Sequence, residues 1–392
     1  MKLLKTNFKH QIDSLYIRVP KTKQNNVKKK HLLLIKLCVA FGINSFAQLE
    51  ELTPVEQAYR DSIKALNLQN EAVAQSQEAY NRGIKLFSEK NYTASIAEFG
   101  KSIQFDPNFT AAYYNKGVAE NEAEKYMDAS KTLNSLIEKD PNYSKAYFQR
   151  GRAFQGLNDY LKAEKDYEKS ISIDPKNPKA YYNYGTLRFL QADYNGGIKH
   201  FTKAIELDPN FAFAYNDRGS CYRMLENYPK ALVDYEEAVR KNPKMAFALN
   251  NIGTTKKKTK DYVGAMAAFN RAISVDPLFY MAFNNRGATQ MEQNRLDDAK
   301  KDFEKALEIN PKYAPSASNL SAIYFKLKDY KKALELADKA INLDANYGNA
   351  YVNRANAKEM TRDMEGACDD WFKAKQLGVE LGKNYYSSNC NE

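Results

Sequence analysis

The sequence of 392 residues has no charge-free apolar run of 18 residues, which excludes a polytopic membrane protein. Its 17 glycines and 12 prolines are too few for a collagen-like chain or a flexible linker. The excess of positive charge is confined to the N-terminal segment. The first 47 residues hold ten basic residues and one acid, Asp13, so the net charge from Gln48 onward is only +2. Because a near-neutral surface neutralises few phosphates, we expect no nucleic-acid partner.

Reactive side chains are scarce after residue 47. His200 is the only histidine there, and its position next to Lys199 in a helix suggests a surface or groove-edge residue. No metal-ligand spacing, nucleophile elbow, phosphate-binding glycine loop or dinucleotide fingerprint occurs. We therefore expect no enzyme, no cofactor, no metal site and no small-molecule substrate.

The first 47 residues have the order of an export signal. Lysines at 28–30 precede a short apolar stretch over 32–41, and a small-x-small pattern follows at 45–47. This order predicts a cleavable bacterial-type signal with its core at 27–47, and a mature chain that is periplasmic or associated with the cell envelope. An uncleaved anchor or a disordered leader is the alternative.

Two details qualify this signal. Residues 1–26 precede the usual start of such a segment, which raises the hypothesis that translation begins near Val27. Cys38 follows Leu37, whereas a lipid-attachment cysteine needs a small residue before it. We therefore do not expect a lipoprotein.

A repeat of 34 residues dominates the rest of the chain. With glycine taken as position 8, the register gives nine units, and proline recurs at position 32. The position-8 glycines are Gly83, Gly117, Gly151, Gly185, Gly219, Gly253 and Gly287. The units are 76–109, 110–143, 144–177, 178–211, 212–245, 246–279, 280–313, 314–347 and 348–381. Residues 48–75 are expected to form an N-terminal capping helix, and 382–392 are left as a C-terminal tail.

Each column of the repeat has a role in a helix-turn-helix unit. Positions 4, 8 and 11 share one helical face, and the glycine permits a second helix to approach closely. Asparagine or aspartate at position 16 caps the second helix in seven units. The Asp-Pro or Asn-Pro step at positions 31 and 32 ends that helix.

These columns resemble the tetratricopeptide repeat, over 306 of the 392 residues. The resemblance implies an all-α, right-handed superhelical solenoid of about nine tandem helix-turn-helix repeats, whose first helices line a concave groove. The last two units depart from the pattern, since Ser321 and Ala355 replace the glycine. The final unit is therefore expected to act as a cap.

The groove is the best candidate for a binding site. Positions 2, 5, 6, 9, 12 and 13 lie opposite the packed face of the first helix. A ladder of amides in similar superhelices holds the backbone of an extended peptide; the alternative is that these amides only bond between neighbouring repeats. The candidate groove residues at position 6 are Asn81, Asn115, Gln149, Asn183, Asp217, Asn251, Asn285, Asn319 and Asn353. Aromatic candidates at position 5 are Tyr80, Tyr114, Phe148 and Tyr182, which would anchor ligand side chains or, alternatively, pack between adjacent units.

Three cysteines follow the leader. Cys221 stands where other units carry alanine and is expected to be buried. Cys368 and Cys390 would form a disulfide in an oxidising compartment or remain two thiols.

The sequence therefore indicates a non-enzymatic scaffold or adaptor that binds a protein or peptide segment in the groove. The alternatives are a non-catalytic subunit of an envelope enzyme or transport assembly, and a structural protein that self-associates as a homo-oligomer.

Overall fold

The computed structural model describes residues 54–390, which divide into two units between Glu71 and Ala72. All regular elements in this range are helices. None of the helices between residues 54 and 390 combines the length and apolarity that a bilayer crossing requires. The predicted export signal, with Cys38, and residues 48–53 lie outside the described residues.

The first helix, α1 (Pro54–Ser88), begins in the first unit and ends in the second. No proline or glycine interrupts residues 55–82, so nothing in the chain breaks the helix there. The boundary expected at residue 75 consequently does not coincide with a helix end. Within the first unit, the side chains of Tyr59 and Leu68 are exposed. A capping role for this segment stays a prediction.

The second unit is a succession of helix pairs in which each helix packs against the next. From α1 to α18, odd-numbered helices are the first helices of repeats 1 to 9, and even-numbered helices are the second. The helices after α1 are α2 (Tyr92–Phe105), α3 (Thr110–Glu122), α4 (Tyr126–Lys139), α5 (Ser144–Gly156), α6 (Tyr160–Ile173), α7 (Pro178–Leu190), α8 (Tyr194–Leu207), α9 (Ala212–Met224), α10 (Tyr228–Lys241), α11 (Ala246–Lys258), α12 (Tyr262–Val275), α13 (Tyr280–Glu292), α14 (Leu296–Ile309), α15 (Ala314–Lys326), α16 (Tyr330–Leu343), α17 (Gly348–Met360), α18 (Met364–Gln376) and α19 (Glu380–Asn389). The all-α solenoid predicted from the repeat is confirmed.

Side-chain caps begin the second helices as the position-16 column predicts. In all seven predicted units, the side chain of the cap accepts a hydrogen bond from the backbone N–H three residues later. Lys125 and Arg295 occupy this position in the other two units and make no such bond. A short polar cap therefore satisfies one of the free N–H groups at most of these helix starts.

The position-8 glycine sets the distance between the two helices of a repeat. A Cβ atom on Gly83 would lie 2.6 Å from the ring of Phe99, at position 24 of the same repeat. Ser321 replaces the glycine in repeat 8, and its hydroxyl donates a hydrogen bond to the Ala333 carbonyl at 2.7 Å. The aromatic ring of the second helix thus fills the space that a side chain on the first helix would need.

A second period of 68 residues underlies the 34-residue repeat. Position 7 is arginine in the odd-numbered repeats only, at Arg82, Arg150, Arg218, Arg286 and Arg354. The last four each bind a buried aspartate at position 23 of their own repeat through two nitrogens. The third nitrogen of each donates to a polar side chain on the second helix of the preceding repeat. We call this set of contacts the arginine clamp.

Even-numbered repeats fill the same positions differently. In repeat 8, Leu320 and Leu336 are both buried in one apolar cluster with Ile323. Arginine clamps therefore tie each odd repeat, from repeat 3 onward, to the even repeat before it.

The chain from 382 to 389 is helical, although the sequence gives no helix signal there. Helix α19 packs against α18, and its Gly382 lies so close that an added Cβ would meet Cβ of Ala374 at 2.5 Å. Cys390 is bonded to Cys368, with 5.7 Å between the two Cα atoms. Of the two alternatives for these cysteines, a disulfide or two thiols, the structure has the disulfide. It holds α19 to the last repeat.

Candidate binding groove

The position-6 side chains lie on the first helices and differ in burial. Asn81 is exposed, Gln149 is buried, and the other seven are half-buried. Asn81 accepts a hydrogen bond from Gln77, and Asn183 donates to the Lys179 carbonyl, each within its own helix. Among residues 54–390, neither amide bonds to a neighbouring repeat.

From repeat 5 onward, position 6 bonds to position 5 of the repeat before it. The side-chain nitrogen of Asn251 donates to Oδ1 of Asn216 at 3.0 Å. Asn285 donates to Oδ1 of Asn250 at 2.9 Å, in the next pair of repeats.

The same geometry continues toward the C-terminus. Asn319 donates to Oδ1 of Asn284 at 3.0 Å, and Asn353 donates to the Ser318 carbonyl at 2.8 Å. We call Asn251, Asn285, Asn319 and Asn353 the amide ladder. Its nitrogens bond between neighbouring repeats, which is one of the two interpretations drawn from the sequence. Within the described residues, Oδ1 of Asn251 and Oδ1 of Asn319 accept no hydrogen bond, so a ligand donor is free to use them.

The N-terminal part of this column bonds through tyrosines. The Asn115 amide donates to the hydroxyl of Tyr80 at 2.7 Å, and the Tyr182 hydroxyl donates to Asp217 at 2.7 Å. Burial raises the pKa of the Asp217 carboxyl, against the hydrogen bonds from Tyr182 and Asn216 that lower it. A position-5 tyrosine therefore takes the place that asparagine has in later repeats.

Position 5 is buried at Phe148 and half-buried at the three tyrosines, so these rings pack within the stack rather than standing free in a groove. Phe148 is 8% exposed, and the rings of Tyr80 and Tyr182 each lie 4.8 Å from a phenylalanine at the end of their own repeat, Phe109 and Phe211. Tyr114 similarly contacts Tyr143 at 5.6 Å. The last residue of the same repeat thus packs against each of these three tyrosine rings.

Position 2 presents the exposed aromatic surface instead. Phe213 and Phe247 are 46% and 36% exposed, and their ring centroids are 5.9 Å apart. They lie on α9 and α11, the helices that carry Asn216 and Asn251. An apolar contact surface and a free acceptor oxygen thus occur on the same two helices.

The remaining candidate residues do not form a reactive site. His200 is half-buried, with its ring stacked on Tyr184 at 4.0 Å, and burial lowers the pKa of the imidazole to about 4. Cys221 is a buried free thiol, as predicted. Between residues 54 and 390, no group of three or more acidic, histidine or cysteine side chains has a geometry that could hold a metal ion.

Comparison with known families assigns the fold. Family profiles described as tetratricopeptide repeat match residues 111–143, 144–177, 166–199, 212–245, 248–277, 280–313 and 314–347, which together exceed half of the chain. The chain belongs to the tetratricopeptide repeat family. Proteins of this family are in general scaffolds for protein–protein interaction rather than catalysts. No curated protein matches this tetratricopeptide repeat chain significantly in sequence.

Two solved structures show the same fold. A tetratricopeptide repeat protein from Parabacteroides merdae ATCC 43184 has a TM-score of 0.54 at 20% identity, over 63% of this chain and 99% of that one. A chain of the APC/C hetero-tetramer Cut9-Hcn1 has a TM-score of 0.53 at 17% identity, over 70% of this chain. The match spans 54%, about half, of the length of that second chain. At such identities the likeness concerns the fold alone.

Proposed function

We propose that the chain is a non-enzymatic scaffold or adaptor that holds an extended peptide or protein segment along the first helices of its repeats. The observation that supports this most directly is that two fixed amides, Asn251 and Asn319, each keep an acceptor oxygen free. The nitrogens of both amides donate to the preceding repeat, which fixes the side chains and leaves their Oδ1 atoms without a donor among the described residues.

A peptide backbone supplies the complementary group. Its N–H donors recur along an extended strand whatever the side chains are, so a row of fixed acceptors binds it with little sequence preference. The exposed pair of Phe213 and Phe247 then offers an apolar anchor on the same helices.

Backbone methylation tests this proposal without altering the protein. Peptides are selected against the full chain from a random displayed library, and each backbone nitrogen of the tightest binder is methylated in turn. Loss of one hydrogen bond of about 1 kcal/mol predicts an increase in Kd of about 5-fold at the contacting positions. If methylation at every position leaves Kd unchanged, the ladder does not hold the backbone.

A pair of variants locates the binding surface. Phe213→Ser removes an exposed ring on a first helix, whereas Val263→Ser removes a more exposed apolar side chain, at 81%, from a second helix. We expect only Phe213→Ser to weaken binding of the selected peptides. The reverse result would move the site to the second helices.

We propose further that the chain is exported and acts in the cell envelope. The basic and apolar pattern of 27–47 supports this, and so does the Cys368–Cys390 disulfide, because such bonds persist in oxidising compartments. N-terminal sequencing of the protein from fractionated cells is expected to begin at Gln48. A cytoplasmic protein that retains residues 27–47 would contradict export.

A further inference from the structure

A cavity of about 280 Å³ lies among the C-terminal parts of α3, α5 and α7, in repeats 2 to 4. Its polar lining is Asn121, Arg152, Gln155 and Asn183, and its apolar lining includes Tyr126 and Leu190. None of the amide-ladder contacts from Asn251 onward involves these residues. The cavity shares Asn183 with the predicted groove, and Tyr126 adds a wall from the second helix α4.

Asn121 contributes a buried acceptor with no partner. The side chain is 4% exposed, and its nitrogen donates to the backbone carbonyl of Gln149 at 2.9 Å and to the Gln149 side-chain oxygen at 3.3 Å. These two bonds fix which end of the amide is nitrogen. Among residues 54–390, Oδ1 of Asn121 has no hydrogen-bond donor. A buried carbonyl oxygen without a donor is unfavourable, so a ligand that donates to it is recognised specifically.

Gln155 contributes a hydrogen-bond donor to the cavity. Its side-chain oxygen accepts a hydrogen bond from the buried Tyr167 hydroxyl at 2.7 Å, which leaves its NH2 group as the end available to a ligand. Arg152 donates to the Glu122 carboxylate at 3.1 Å through two nitrogens, so its charge is paired. Asn183 adds a second acceptor oxygen, since its nitrogen donates to the Lys179 carbonyl. The cavity lining thus combines acceptors and a donor with no unpaired charge.

This polarity selects a neutral group that both donates and accepts. A carboxylate would place negative charge against Oδ1 of Asn121, and an ammonium group would face the Arg152 guanidinium. A carboxamide offers an N–H to Asn121 and a C=O to Gln155.

The apolar walls favour a carboxamide on a short aliphatic stem. The ring of Tyr126 lies directly against Gly156, where an added Cβ would meet it at 2.7 Å. Leu190, which is 52% exposed, provides the other wall at the end of α7. Methylene groups pack on such surfaces, as the stem of a glutamine side chain would.

We propose that this cavity is a specificity subsite for a carboxamide side chain, glutamine before asparagine, of the bound peptide. The proposal rests on the proposed function for its biological setting, but the cavity's chemistry is testable without a peptide.

The test uses the full chain and three blocked amino acids of similar length, the N-acetyl methyl esters of glutamine, glutamate and methionine, of which only the glutamine derivative carries a carboxamide NH2 group. Saturation-transfer NMR measures the affinity of each. We expect the glutamine derivative to bind in about the millimolar range accessible to so small a ligand, and at least about tenfold more tightly than the other two. Equal binding of all three, or no binding of the glutamine derivative, overturns the subsite.

Matched variants connect that binding to the cavity. Leu190→Trp fills the cavity from an exposed position at the last residue of α7, and Met224→Trp makes the same change at the last residue of α9, outside the cavity. We expect the first to abolish binding of the glutamine derivative and the second to leave it unchanged. Binding that survives Leu190→Trp contradicts the assignment.

The two proposals fail separately. If selected peptides show the methylation pattern but the glutamine derivative does not bind, the subsite is wrong and the groove stands. If the glutamine derivative binds and no peptide does, the cavity is a site and the extended-peptide function is wrong.

Discussion

The glycines of this chain differ in whether they have room for an added methyl group. A Cβ atom on Gly253 would lie 2.5 Å from the ring of Phe269, whereas one on Gly100, within α2, would meet nothing within 4 Å. We expect Gly253→Ala to destabilise the protein by about 1–3 kcal/mol through overpacking. Gly100→Ala should stabilise it by about 0.5–1 kcal/mol, because alanine restricts the unfolded chain and favours the helix.

Urea denaturation followed by circular dichroism compares the two variants. The pair controls for chemistry, since both make the same substitution in a helix. Equal midpoints for the two would show that the ring of Phe269 moves aside, and that the position-8 glycine does not set the helix spacing.

His200 predicts a stability term that depends on pH. Burial lowers the pKa of the folded imidazole to about 4, below the value of about 6.5 expected when the chain is unfolded. The unfolded state therefore binds the proton first, and the free energy of unfolding falls as the pH drops from about 6.5 to about 4. His200→Phe keeps a ring against Tyr184 and removes the titration.

The wild type minus variant difference in the free energy of unfolding isolates this term from the carboxylates, which titrate in both proteins. We expect the difference to shift against the wild type as the pH falls through that window. A difference that stays constant between pH 7 and pH 4 would rule out the buried neutral imidazole.

At the scale of the helices, the arginine clamp predicts a loss of stability on mutation, and repeat 8 supplies the control. Arg286 donates to Asp302 at 2.7 and 2.6 Å, and the aspartate is 5% exposed. Arg286→Ala leaves this carboxylate buried and unpaired, which we expect to cost about 3–5 kcal/mol. The double variant Arg286→Leu with Asp302→Leu reproduces the Leu320 and Leu336 pair of repeat 8 and should recover most of that loss.

Thermal denaturation of the single and double variants checks this. The comparison is matched because repeat 8 shows that two leucines pack at these positions. A double variant as unstable as the single one would show that the clamp is required at the contact with the preceding repeat, where Arg286 also donates to Asn270 at 2.7 Å.

At the scale of the whole molecule, stability is expected to be local at the C-terminal end. In a solenoid each repeat contacts only its neighbours, so loss of the Cys368–Cys390 bond should free α19 without unfolding distant repeats. The bond closes a loop of 22 residues, worth about 3 kcal/mol in the chain-entropy model. Trp371, the sole tryptophan, is fully buried beside this bond and reports on it.

Reduction with dithiothreitol is therefore expected to shift the tryptophan fluorescence transition to lower urea, with the circular dichroism transition of the other repeats little changed. The Cys390→Ser variant without reductant should behave as the reduced wild type does. Coincident shifts of both transitions would contradict a local effect and indicate that the repeats unfold as one cooperative unit.

The sequence predicts most of the fold because the residues that define each helix pair lie within one repeat. Position 8 sets the approach of two helices and position 16 starts the second, so both are readable from one column. The packing of Tyr80 and Tyr182 could not be decided in this way, because it depends on where Phe109 and Phe211, the last residues of their repeats, lie. The same holds for the cavity at Asn121, which needs side chains from three repeats. The arginines at position 7 are present in the sequence in every second repeat. An alignment in 34-residue units mixes odd and even repeats and therefore hides this 68-residue period.

That alternation has a consequence for how the length of such a chain can change. Deleting residues 212–279, a pair of repeats, would bring Arg286 next to Thr202, a residue that already accepts a hydrogen bond from Arg218. Deleting only 212–245 would instead place Ile252 opposite that hydroxyl, and the two-repeat phase would be broken. The natural increment for lengthening or shortening this protein by duplication and loss is therefore two repeats.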